Sequence, residues 1–98
     1  MTLSTLTTDM PGSRNTAVPH LTGRQETVLC GLLLARTNQE MAIELNLSEY
    51  TIKYHCRSLF RRYGVTNRVE LFSLYVCQPA RFPKHVVAQV AAQAARRH

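Results

Sequence analysis

Four short segments, each opened by a Thr, Ser or Asn and each carrying apolar residues at intervals of three and four, follow one another from Leu21 to about Gln78. That spacing lines one face of an α-helix, whereas a half-buried strand alternates every second residue. The chain therefore reads as a small all-α domain. Thr22-Gly23-Arg24-Gln25 and Thr37-Asn38-Gln39-Glu40 are capping boxes, in which a hydroxyl and the side chain three residues on satisfy two orphan backbone donors. The first helix carries Val28, Leu29, Leu32 and Leu33 on one stripe and ends near Leu34 or Ala35. The second, barely two turns long, carries Met41, Ala42 and Leu45 before a turn at Asn46-Leu47. Ser48 caps a third over roughly Glu49 to Tyr63, and Gly64 supplies its left-handed stop. Asn67-Arg68-Val69-Glu70 opens a fourth that runs toward Cys77 and ends before Pro79.

The flanks differ in character. Residues 1–20 hold Thr, Ser, Pro and Gly with no apolar period, which predicts a flexible N-terminal tail ahead of a helical domain at 21–78. Residues 79–98 form a basic, Ala-rich C-terminal extension. Its stripe of Val87, Val90, Ala91 and Ala94 is thin, which predicts a frayed helix or one that orders only against a partner. Arg96-Arg97 would sit favourably at that helix's end.

Length and composition narrow the function. A chain of 98 residues makes one domain and buries only about 60% of its extended surface on folding, so a deep substrate cleft is not expected. No nucleophile–base pair, phosphate loop or carboxylate pair stands out, and no enzyme is predicted. Cys30, Cys56 and Cys77 include no C-x-x-C pair, which argues against zinc and for a reduced cytoplasmic setting. The run from Val28 to Ala35 is too short to cross a bilayer, and with neither a basic n-region nor an apolar h-region in the first residues no export or anchoring is expected. No cofactor, metal, membrane or small-molecule ligand is expected.

Twelve Lys and Arg against six Asp and Glu give a net charge of +6, which points to a polyanionic partner. The position of the charge says more than its size. A short helix, a tight turn and a longer helix, with the small Ala42 before the turn and Ile52 after it, form a helix-turn-helix. Opposite the stripe of Ile52, Cys56, Leu59 and Tyr63, the longer helix presents Tyr50, Lys53, Tyr54, Arg57 and Arg61 at i, i+3, i+4, i+7 and i+11. Between Tyr50 and Val69 there is no acid at all. Arg57 can give two donors to guanine O6 and N7, Lys53 can reach an acceptor or a phosphate, and the orphan N–H groups after Thr37 and Ser48 can hold phosphate oxygens.

These residues also carry a resemblance. Leu21-Thr22-x-Arg24, Val28-Leu29, Thr37-Asn38-x-Glu40-x-Ala42, Ser48-Glu49-x-Thr51-Ile52-Lys53-x-His55 and Gly64-Val65-x-Asn67-Arg68 stand in the register of the DNA-binding domain of the LuxR/FixJ/GerE family of bacterial transcription regulators, which the chain resembles from about Leu21 to Cys77. The resemblance implies a four-helix module that binds double-stranded DNA as a dimer, here standing alone without a receiver or sensor domain. It implies base contacts from Lys53, Tyr54 and Arg57, backbone contacts from Thr51 and the start of the second helix (Thr37, Asn38), and dimer contacts from the fourth helix through Val69, Ser73 and Val76. Ser48, Tyr50, His55 and Arg61 complete the expected backbone set.

The departures matter too. The family usually has Glu where Gln25 and Thr27 stand, which weakens an acidic pairing with Arg68, and Gly where Ala35 stands. Because Ala in a left-handed cap costs roughly 1 kcal/mol, that junction is expected to be built differently. Tyr54 is bulky for a groove position, where it either contacts a thymine methyl or selects against some sequences.

Some choices stay open on the sequence. The fourth helix is apolar nearly all round, so either the C-terminal extension or a second copy covers it. His55 reads as a partly buried phosphate contact rather than a metal ligand, and Cys56 as packing rather than a redox switch. The expected function is a sequence-specific regulator of transcription, cytoplasmic and nucleoid-associated. The alternative is a module that pairs with larger LuxR-type regulators, as a heterodimer, or with RNA polymerase.

Overall fold

A computed structural model describes residues 18–96. The expected tail thus lies, up to residue 17, outside the described residues, as does Arg97. Within them the chain is all-helical: α1 (Gly23–Leu33), α2 (Asn38–Leu45), α3 (Glu49–Tyr63), α4 (Arg68–Cys77), a 3-10 turn (Pro79–Arg81) and α5 (Lys84–Arg96).

Local chemistry sets these boundaries. The Thr22 and Thr37 hydroxyls accept from the amides of Gln25 and Glu40, whose side chains accept in return from the capping amides. Ser48 and Asn67 cap α3 and α4 through the amides of Thr51 and Glu70. Asn46 (φ 58°) and Gly64 (φ 70°) close α2 and α3 in the left-handed region. Ala35 does the same after α1, at φ 62°. The expectation that this junction would be built differently is therefore corrected: the Arg36 amide still reaches the Gly31 carbonyl at 2.9 Å, and Ala35 accepts the strained backbone.

The core gathers around α1, whose Val28, Leu29, Leu32 and Leu33 meet α3, α4 and α5. Gly31 lets α2 approach, since a Cβ there would stand 2.5 Å from Met41 Sδ. From α3 come Ile52, Cys56, Leu59 and Tyr63, the predicted stripe; from α4 only Leu71 is fully enclosed. The C-terminal segment is an ordered helix laid on α1, not a frayed one. It is anchored by Phe82, Val86 and Val90 rather than by the expected Val87, Ala91 and Ala94, of which Val87 is half-buried and both alanines are exposed. That helix covers α1 and leaves Val69 (71% exposed), Phe72 and Val76 on the surface of α4.

Candidate nucleic-acid interface

Three packed elements aim α3. Its buried stripe seats on α1 and α2, so the opposite side is forced outward along the full length of the helix. Gln25 Nε2 donates to Ser58 Oγ at 3.2 Å, so a neutral hydrogen bond now ties α1 to the flank of α3. Arg68 supports the turn region from behind: Nη1 donates to the Arg36 carbonyl at 2.7 Å and Nη2 to Asn38 Oδ1 at 3.2 Å, fixing the N-terminus of α2 to that of α4. Arg36 itself spans α2 and α5, donating to Glu44 Oε1 and Gln93 Oε1, each at 2.8 Å.

On the outward side Tyr50, Lys53, Tyr54, Arg57 and Arg61 are all exposed. Among the described residues the contacts between a basic side chain and a carboxylate are Arg36–Glu44 and His85–Glu26, so none of the α3 cations is neutralised by a carboxylate within hydrogen-bonding reach. Cationic groups held this way, without a carboxylate partner and along one helix, are placed to meet an anionic surface.

The other predicted positions fall around this row. Thr37 and Ser48 spend their hydroxyls on capping, which leaves the first amides of α2 and α3 for an external acceptor. Asn38 is half-buried with Oδ1 taken by Arg68, and Thr51 is half-buried with its hydroxyl 3.0 Å from Ser48 Oγ. His55 is half-buried; its Nδ1 is enclosed and without a hydrogen-bond partner. Val69, Ser73 and Val76, spaced at i, i+4 and i+7, lie together on the exposed side of α4.

One feature escaped sequence reasoning. A cleft of about 340 Å³ opens between α3 and the starts of α2 and α4, bringing Thr66, Asn67 and Arg68 beside Lys53 and Arg57. Phe60 and Cys56 also line it. The sequence signal was the Asn67 cap followed by Arg68, but only the packing of α4 turns these residues toward α3. Glu70 stands next to the cleft's rim, and hydrogen bonds from the Thr66 amide and hydroxyl hold its carboxyl below the usual range. Burial pushes the Cys56 thiol up despite the opposing Arg68 charge, and likewise Cys30, so both sulfurs serve as protonated packing groups.

Among the described residues no cluster of three or more His, Cys, Asp or Glu side chains is placed to hold a metal ion. No described helix is long and apolar enough to cross a membrane.

Residues 19–75 match the family model for bacterial regulatory proteins of the luxR family. Over 70 residues the chain is 36% identical to the nitrate/nitrite response regulator protein NarP of Escherichia coli, an alignment covering 71% of this chain and 33% of that protein. Over 56 residues it is 36% identical to the "Probable transcriptional regulatory protein SgaR" of Hyphomicrobium methylovorum, covering 57% of this chain and 26% of that protein. The matched stretches thus span about a quarter to a third of the length of these curated relatives. No solved structure gives a significant match. The family match ends within α4, so the 3-10 turn and α5 lie beyond it.

Proposed function

The chain belongs to the luxR family of bacterial regulatory proteins, and on that premise we propose that it regulates transcription by binding specific sequences of double-stranded DNA, with α3 in the major groove. The observation that carries this is the exposed row Tyr50, Lys53, Tyr54, Arg57 and Arg61, free of carboxylate partners on a rigid support. A groove about 12 Å wide admits such a helix. Lys53, Tyr54 and Arg57 face the base edges. Arg61, His55, Thr51 and the starts of α2 (Thr37, Asn38) and α3 (Ser48) meet the sugar–phosphate backbone. Two copies pair through Val69, Ser73 and Val76 and set their α3 helices on half-sites about 10 bp apart. Such a protein works in the cytoplasm on the nucleoid, and no cofactor or catalytic step enters the scheme.

Selection of bound fragments from a random duplex library, using the full chain, tests this directly. Enrichment of a two-fold motif with that spacing supports it; an unenriched pool sinks sequence-specific binding. A second reading rests on the apolar stripe Val69, Phe72 and Val76, which is 71, 49 and 62% exposed. On that reading the chain pairs through α4 with a larger luxR-type regulator. It then binds random duplexes without preference, yet forms a stable complex with the larger protein in sedimentation.

A further inference from the structure

Building on the DNA-binding reading, we infer that Tyr50 and Tyr54 form a two-ring reader of pyrimidine C5-methyl groups, so that the preferred duplex carries methylated pyrimidines about two base steps apart. The rings are 81% and 66% exposed and share the outward row of α3 with Arg57 and Arg61. Cations on that row can satisfy base acceptors such as guanine O6 and N7. A tyrosine hydroxyl can do the same, but the ring carbons cannot, and the only apolar group that base pairs present in the major groove is the C5-methyl of thymine, which 5-methylcytosine shares. Two large rings in a groove otherwise lined by polar edges therefore have one apolar partner chemistry available.

The geometry fits a pair rather than two independent contacts. Residues four apart lie about 6 Å apart along a helix axis, close to two base steps of about 3.4 Å. Tyr54 is held in place: its ring meets the half-buried His55 ring edge-on, with centroids 5.8 Å apart and planes at 67°. Tyr50 stands in a first turn fixed by the Ser48–Thr51 hydrogen bonds. A ring that already has a neighbour, as Tyr54 does, loses less freedom when it contacts a methyl group. This moves Tyr50 from the sugar–phosphate backbone to the base edges.

The test starts from duplexes enriched by the full chain out of a random thymine-containing library. Each is resynthesised with deoxyuridine for thymidine, and again with deoxyuridine plus 5-methyldeoxycytidine for deoxycytidine. Wild type should lose about fourfold in affinity per methyl removed, the share expected for one buried carbon group, or about fifteenfold for two. The third duplex should regain affinity where a cytosine occupies a contacted position, which separates thymine from 5-methylcytosine as the source. Tyr50→Phe with Tyr54→Phe keeps the rings and should keep the uracil penalty; Tyr50→Ala with Tyr54→Ala should abolish it. Equal binding of thymine and uracil duplexes by wild type overturns the inference while leaving DNA binding intact. So does an undiminished uracil penalty in the double alanine variant. Absence of any enriched duplex overturns the DNA-binding reading and this inference with it.

Discussion

The Phe82 ring lies flat on the Tyr63 ring, with centroids 4.4 Å apart and planes 9° from parallel. Tyr75 meets Phe82 edge-on at 5.2 Å and 89°, and the Arg81 guanidinium stands 5.9 Å from the centre of the Tyr63 ring. The last residue of α3 is thereby joined to the turn after α4 and to the entry of α5. The helix that presents the cationic row is braced from a segment outside the family match.

Phe82 is 1% exposed, so Phe82→Ala opens a cavity at the point where three elements meet. Phe→Ala in a core costs about 3–5 kcal/mol, a large share of the stability of a small domain. Urea unfolding followed by far-UV circular dichroism should show a midpoint lowered accordingly. A loss below about 1 kcal/mol would mean that α5 and its turn do not share the core of α1 and α3.

Tyr63 supplies a second prediction through its hydroxyl, which is enclosed and has no hydrogen-bond partner. Burial, opposed by Arg81, raises its ionisation from the ordinary value near 10 to about 12. The unfolded chain releases this proton first as pH rises. The stabilisation is therefore full below pH 10 and is lost on the way to pH 12. Tyr63→Phe removes both the orphan hydroxyl and this loss, so near neutrality it should be as stable as wild type or more so. Between pH 10 and 12 it should fall away less steeply. Parallel decline of the two proteins across that range would refute the assignment.

Most of this architecture is legible locally because its signals are local. Thr22, Thr37, Ser48 and Asn67 announce helix starts through their own hydrogen bonds, and Asn46 and Gly64 announce stops through their backbone freedom. The outward row of α3 follows from helical period alone. What the spacing did not disclose depends on partners distant in sequence. Phe82 sits in an aperiodic Pro-flanked stretch, and its value comes from Tyr63, nineteen positions earlier. The buried side of α5 lies at Val86 and Val90, one residue off the stripe begun at Val87, a choice made by its contact with α1. Thr66 and Asn67 join the cleft only through the packing of α4.

Ala35 shows a local rule being overridden. Its left-handed φ of 62° is imposed by the hydrogen bonds that close α1 and by the need to start α2 at once. The side chain is exposed, so Ala35→Gly removes roughly 1 kcal/mol of strain without opening a cavity. The greater freedom of Gly in the unfolded chain gives back part of this gain. A net stabilisation of about 0.5 kcal/mol should raise the thermal midpoint by roughly 2–4 °C. An unchanged or lower midpoint would show that the backbone there is not strained.

On the proposed reading, Arg57 and Arg61 divide base reading from phosphate binding within about one helix turn. Both are exposed on the outward row of α3, but Arg57 stands beside Lys53 and Tyr54 and borders the cleft, whereas Arg61 lies nearer the C-terminal end of the helix. With Arg57 on a guanine edge, Arg57→Ala should cost about 1–3 kcal/mol on the selected duplex, relax preference at one position and leave binding to random duplex nearly unchanged. With Arg61 on a phosphate, Arg61→Ala should weaken all duplexes alike and reduce the slope of log affinity against log salt by about one. Titrations of both variants at several salt concentrations, on selected and random duplexes, give the four numbers required. If Arg57→Ala lowers the slope and spares the preference, its guanidinium lies on the backbone and α3 is rotated about its axis away from the orientation proposed.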